Sequence, residues 1–271
     1  MFKTKRFLLL TVVALLSVMV LAACNSDSGN SSDGENVLER IKERDKIIFG
    51  VKHDTKLFGL KNPSTGDVEG FDIDIAKQLA KEILGDENKV EFVEVTSKTR
   101  IPLLNKGDID AIIATMTISD DRKKEVDFTE VYFLAGQSLL VKKGSSVQSI
   151  EDLTKDTTVI AVKGSTSTDN IRKAAPDAHV LEFENYAEAF TALKAGKGEA
   201  LTTDDSILAG MASEDDSYEL VGENFTEEPY GIAAKKGEKE FVDALNAGLE
   251  SLNSSGEFDT IYDSWFEGIL K

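Results

Sequence analysis

The sequence predicts an α/β protein built from two similar lobes, each a mostly parallel sheet flanked by helices, with two extended strands forming the hinge between them. Three observations predict it. From residue 37 onward, segments patterned as strands alternate with segments patterned as helices. A second run of the same kind starts at residue 157 and echoes the first. Two extended apolar segments, "AGQSLLVKKGSS" and "EEPYGIAAKKGE", each run into a Lys-Lys-Gly turn, as expected of a chain that leaves one lobe, builds another and returns.

The elements follow in order. "KIIFGV" (46 to 51) reads as a buried strand, "DIDIAKQLAKEIL" (72 to 84) as an amphipathic helix closed by Gly85, and "KVEFVEV" (89 to 95) as an alternating strand. "SKTRIPLLNKG" reads as a short helix capped by Ser97 and ended at Gly107, and "DIDAIIATMT" as the next strand. In the second run, "TTVIAV", "HVLEF" and "EALTTD" are strands, and "TDNIRKAA" and "YAEAFTALKAG" are helices. "TRIPLLNKGDIDAIIAT" and "EAFTALKAGKGEALTTD" share helix, glycine-containing turn and strand, an architectural unit rather than a sequence repeat. The C-terminal stretch from "KEFVDAL" to "SWFEGIL" reads as helices, with Trp265 and Phe266 as core. The expected boundaries are 37 to 137 for the first part of lobe 1, 138 to 228 for lobe 2, and 229 to 271 for the return to lobe 1 and the terminal helices.

Ahead of this body, Lys3, Lys5 and Arg6 precede an apolar run from Phe7 to Val20, the layout of a secretory leader over residues 1 to 23. The run is short for a permanent bilayer span, which needs about 20 residues. It ends in "LAAC", which resembles a bacterial lipobox, so Cys24 is expected to become the first mature residue and to carry lipid. Cys24 is the only cysteine among the 271 residues, so no internal disulfide can form. Residues 24 to 36 are small and polar, a flexible tether. Removing the leader takes three of 31 basic residues and none of the 49 acidic ones, moving the formal net charge from −18 to −21. That balance argues against nucleic acid as a partner.

Ligands of open α/β sheets bind beyond the carboxyl ends of strands, and several such places hold unusual residues. Strand alternation puts Thr115 and Thr117 on one face at a strand end, and Arg122 follows at the next helix start. A cation is unfavourable there unless it meets an anion, and its planar fork matches a carboxylate. The alternative is a surface pair with Asp120 or Asp121. Arg100 raises the same question three residues after Ser97. "KGSTST" (163 to 168) ends a strand in hydroxyls and a glycine without the Gly-Lys-Ser/Thr ending of a nucleotide loop. Asp204 and Asp205 stand at another strand-to-helix junction, where one can cap and the other can meet an ammonium group. Lys52 and His53 close the first strand. Cations and hydroxyls in one lobe, with an acid in the other, suit a zwitterion.

"GFDIDIAKQLA" (70 to 80), "TSKTRIPLLNKGDIDAIIATMTISDDRKKEVDF" and "EPYGIA" resemble the polar amino-acid class of bacterial extracellular solute-binding proteins, family 3, over essentially the whole mature body. The resemblance implies a two-lobed periplasmic-binding-protein-like fold of type II. It also implies a lipoprotein of an amino-acid ABC importer that binds glutamine or glutamate by hinge closure and hands it to permease subunits from the outer face of the cell membrane. By position, Arg122 would grip the ligand α-carboxylate with Thr117, Thr115 and the Thr166 turn, and Asp204 the α-ammonium. Arg100 stands where glutamate/aspartate binders keep an arginine for the side-chain carboxylate, and Lys52 is its neighbour. Tyr186 stands where such binders carry histidine, and Thr55 replaces an aromatic of glutamine binders. Phe58 is expected in the core. Arg100 with Lys52 favours an acidic side chain, a slight lean to glutamate. No catalytic residue, cofactor or metal is expected, and a monomer is. The competing functions are an amino-acid sensor or adhesin and an enzyme similar to cyclohexadienyl dehydratase.

Overall fold

The apolar period of "VLERIKER" sets α1 (Val37–Arg44), which buries Val37 and Ile41, and the chain enters the first sheet at β1 (Ile47–Val51). This computed structural model describes residues 36–270; the leader, the lipidated Cys24 and most of the tether expected from the sequence lie outside the described residues. Three short strands, β2 (Asp54–Thr55), β3 (Gly59–Lys61) and β4 (Val68–Glu69), form a small antiparallel sheet before α2 (Phe71–Leu84). Gly85 ends α2 in the left-handed region, where its N–H reaches the Lys81 carbonyl. Then come β5 (Val90–Glu94), α3 (Arg100–Lys106), β6 (Ala111–Ile112), α4 (Arg122–Glu125) and β7 (Val126–Ala135).

From β7 the chain passes through Gly136 into β8 (Gln137–Lys142) of a second sheet. That sheet grows through β9 (Thr158–Val162), α5 (Thr166–Ala174), β10 (His179–Phe183), α6 (Tyr186–Lys194), β11 (Ala200–Asp204), α7 (Asp205–Glu214) and β12 (Tyr218–Val221). The chain then returns as β13 (Glu228–Lys235) and ends in α8 (Lys239–Ser255) and α9 (Glu257–Phe266). The sheet orders are β5-β1-β6-β13-β7 and β10-β9-β11-β8-β12. In each, the pairings make four strands point one way and reverse the fourth in the order, β13 or β8. Both reversed strands adjoin the crossings between lobes, and the crossings touch: the Phe225 N–H donates to the Gln137 carbonyl at 2.9 Å.

Lobe 1 has an aromatic core. Phe58 packs on Phe71, Phe133, Tyr230 and Phe266 with ring centroids 5.1 to 6.2 Å apart. Phe266 is buried there as the sequence predicts, whereas Trp265 lies at the edge and donates its indole N–H to Asp74 at 2.8 Å. Two local expectations change. α3 starts after Thr99, which gives no side-chain cap, and the Ser97 hydroxyl is instead spent on Lys52. The segment 108 to 117 pairs as a strand only at Ala111–Ile112, because Thr115 takes φ +47° and breaks the alternation. Thr117 rejoins the sheet through an isolated bridge to Tyr230.

Candidate functional site between the lobes

The segments after β1, β5, β6, β9, β10 and β11 deliver the predicted residues to one cleft. On the lobe 1 side Lys52 follows β1 directly and is buried; its Nζ donates to Ser97 Oγ at 2.9 Å and lies 4.9 Å from the Tyr186 ring centroid, on the other lobe. Burial brings its pKa down to about 7, with Asp54 pulling it back and Arg100 pushing further down. Arg100, also buried, donates through one terminal nitrogen to the carbonyls of Ala114 at 2.7 Å and Thr115 at 3.3 Å. Burial lowers it to about 9, and Arg122 adds to the effect.

Arg122 does not pair with the neighbouring aspartates; Asp121 holds Lys124 instead, at 2.6 Å. Its guanidinium donates to the Thr117 carbonyl at 2.8 Å and, across the cleft, to the Gly164 carbonyl at 3.2 Å. Burial lowers its pKa, while the carboxylates of Asp204 and Glu228 act to raise it. Thr117 thus serves the site through its backbone. Thr115 turns its hydroxyl to the Ala114 carbonyl at 2.8 Å, so it does not stand as one of a side-by-side pair of free hydroxyls.

On the lobe 2 side, Asp204 ends β11 with 4% of its surface exposed. It accepts from Tyr230 Oη at 2.5 Å and from Gln137 Nε2 at 3.3 Å, and burial, with Glu228 nearby, raises its pKa to about 7. Asp205 takes the structural role, holding Gly136 and Asn224 of the two crossings at 3.3 and 2.6 Å. Thr166 opens α5, accepts from Gln137 at 3.0 Å and donates to Glu228 at 2.8 Å. Tyr186 is buried; its hydroxyl accepts from Thr203 at 3.2 Å, and burial together with Asp204 pushes it up to about 12. Gly164 has φ +76°, and a Cβ there would stand 2.7 Å from the Lys98 Cα, so the lobes meet at this turn and only glycine fits.

Three groups escape sequence reasoning. Asp72 lies on the buried face of α2, where its oxygens accept from the Thr115 N–H at 3.0 Å and the Tyr132 hydroxyl at 2.8 Å. It therefore holds the strained Thr115, whose carbonyl holds Arg100. Burial raises Asp72 to about 7, against those two hydrogen bonds and the pull of Lys52 and Arg100. Glu228, also buried, accepts from Thr166, from Asn170 at 2.9 Å and from Thr226 at 2.9 Å. Gln137 joins Asp204 to Thr166. The signal for Asp72 was an acid at a position of "GFDIDIAKQLA" that shares the helix face of Phe71, Ile75 and Leu79; nothing comparable marks Gln137 or Glu228.

The arrangement sets a guanidinium from lobe 1 against a carboxylate from lobe 2, in a cleft lined by further cations and hydroxyls. Residues 47–268 match the family described as bacterial extracellular solute-binding proteins, family 3. The chain is 60% identical over 267 residues to the ABC transporter glutamine-binding protein GlnH of Bacillus subtilis, covering 97% of this chain and 98% of that one. It is 60% identical over 252 residues to the glutamine-binding protein of Geobacillus stearothermophilus, covering 89% and 96%. Among solved structures, the cysteine-binding protein of Campylobacter jejuni superimposes with a TM-score of 0.83 at 31% identity, over 88% of this chain and 95% of that one. The chain belongs to the bacterial extracellular solute-binding proteins, family 3.

Proposed function

We propose that the protein is the extracytoplasmic substrate-binding component of an amino-acid ABC importer and that its ligand is L-glutamine, captured by closure of the two lobes. The observation that carries the reading is the opposition of Arg122 and Asp204 across the cleft, each within electrostatic reach of the other. The α-carboxylate goes to Arg122, with the Thr166 turn beside it, and the α-ammonium to Asp204. Both head-group charges are then paired on desolvation, which an isolated buried charge could not survive. Each lobe supplies half of the partners, so ligand binding favours the closed form.

The side chain goes toward Lys52, Arg100 and Tyr186. Two cations there favoured glutamate on the sequence alone, but the chain provides its own counter-charges. Asp72 lies within electrostatic reach of Lys52 and Arg100, Asp204 and Glu228 lie within reach of Arg122, and Arg100 already spends donors on two carbonyls. A ligand with a neutral side chain keeps that balance, whereas glutamate adds a negative charge; the two relatives at 60% identity are glutamine-binding proteins. Those relatives are transport proteins and not enzymes, and the Asp204 carboxylate that an acid-catalysed reaction would need is explained by ammonium binding. The protein acts outside the cytoplasm, held to the membrane by lipid on Cys24 and delivering its ligand as a monomer to the permease. Titration calorimetry against glutamine, glutamate, aspartate and arginine tests this. Glutamine should bind most tightly, glutamate more weakly and arginine not measurably; preference for arginine would refute the pocket.

A further inference from the structure

Asp54 lies two residues beyond Lys52, in the short strand β2 of lobe 1. Its Oδ2 accepts from the backbone N–H of Tyr186 at 2.6 Å and of Ala187 at 3.4 Å, the first two residues of α6 in lobe 2. A helix start leaves several N–H groups without partners inside the helix. Here they are divided between two caps. Asn185, within lobe 2, takes the Glu188 N–H at 2.8 Å, and Asp54, from the other lobe, takes the two before it. The second oxygen of Asp54 is held by the Thr55 hydroxyl at 3.1 Å. The negative charge also suits the positive end of the α6 dipole.

The same segment comes close to lobe 2 at a second place: a Cβ on Gly210 in α7 would stand 2.8 Å from the Lys56 carbonyl oxygen. Asp54 reaches α6 only when the lobes are this close. Its bonds also fix the backbone of Tyr186, whose ring covers Lys52.

We propose that Asp54 is a positioning residue that caps α6 from across the cleft and thereby sets how long the closed form retains its ligand, without touching that ligand. The inference rests on the clamp reading above. The contact forms on closing and is absent from the separated lobes, so it acts on release and not on capture.

The test compares wild type with Asp54→Ala and Asp54→Asn by calorimetry, by ligand-chase dissociation rates and by thermal unfolding with and without ligand. Hydrogen bonds to a charged group predict dissociation about tenfold faster or more in Asp54→Ala. The association rate, the ranking of ligands and the Tm without ligand should be unchanged, and Asp54→Asn, which keeps an acceptor but loses the charge, should fall between. Wild-type dissociation in Asp54→Ala would overturn the proposal. So would a loss of affinity accompanied by a lower ligand-free Tm with no change in dissociation rate, the mark of a merely structural residue. The rates are compared on whichever amino acid the wild type retains. Failure of the glutamine reading appears in the wild type, and failure of this inference only in the variants.

Discussion

The two lobes repeat one architecture and divide one chemistry. Their sheets share a strand order, with three parallel strands, a reversed crossing strand and an outer strand. Yet the strand ends of lobe 1 face the cleft with Lys52, Arg100 and Arg122, and those of lobe 2 with Asp204, Thr203 and the Thr166 turn. The cores differ too. Lobe 1 stacks Phe58, Phe71, Phe133 and Phe266 into an aromatic cluster, whereas lobe 2 buries aliphatics such as Leu139, Val159 and Ile171 on one face of its sheet. The fold fixes where groups arrive, and the residue after each strand fixes what they do. Opposite charge on like scaffolds is what the proposed zwitterionic ligand calls for, since neither half alone would satisfy both head-group charges.

The sharpest way to break this division is to remove one charge from either side. Arg122→Ala or Asp204→Asn should weaken glutamine binding by about 2 to 5 kcal/mol, the cost of truncating one partner of a buried charge pair. Calorimetry giving wild-type affinity for either variant would take that residue out of the site. A smaller effect is expected from keeping both sets of groups and preventing their approach. Gly210→Ala places a Cβ 2.8 Å from the Lys56 carbonyl across the cleft. Within α7, alanine is the better helix former by up to about 1 kcal/mol. Unfolding without ligand should therefore show equal or greater stability, while affinity falls about tenfold, or about 1.4 kcal/mol. Undiminished affinity would mean that closure tolerates a wider gap.

The smallest effect is on pH dependence. Burial raises Asp72 from 3.8 to about 7, so the folded chain holds a proton there that the unfolded chain has released. Its contribution to stability is greatest below pH 4, declines as pH rises toward 7 and is level above that. Asp72→Asn retains an acceptor for the Thr115 N–H and removes the titration. Urea unfolding from pH 4 to 8 should show a flatter profile for the variant over that window; parallel profiles would show that Asp72 does not titrate there.

Much of this was legible in the sequence because the fold writes itself as periodicity: the alternation of strands and helices, Gly85 and Gly107 ending their helices, and the echo between halves all have local causes. Arg122 could be singled out because it stands at a strand-to-helix junction where an unpaired charge needs a partner; the junction left Asp204 and Asp205 open, and only the family resemblance pointed to Asp204. What escaped was tertiary. Thr115 breaks its strand because Asp72, far away in sequence, accepts its N–H, and no local pattern signals a positive φ at a threonine. Ser97 reads as a cap until Lys52 reaches it from β1. The lean toward glutamate counted Lys52 and Arg100 alone; the proximity of Asp72 and Glu228 to the cations is a property of packing.

The central claim is that the guanidinium of Arg122 and the carboxylate of Asp204 meet the two ends of one amino-acid head group. A crystal structure of the protein grown with L-glutamine tests it most directly. The α-carboxylate should lie within hydrogen-bond distance of Arg122 and the α-ammonium within hydrogen-bond distance of Asp204, with the amide toward Lys52 and Arg100. Glutamine bound with its head group elsewhere, or a cleft in which Arg122 and Asp204 contact only protein and solvent while glutamine is bound, would contradict it.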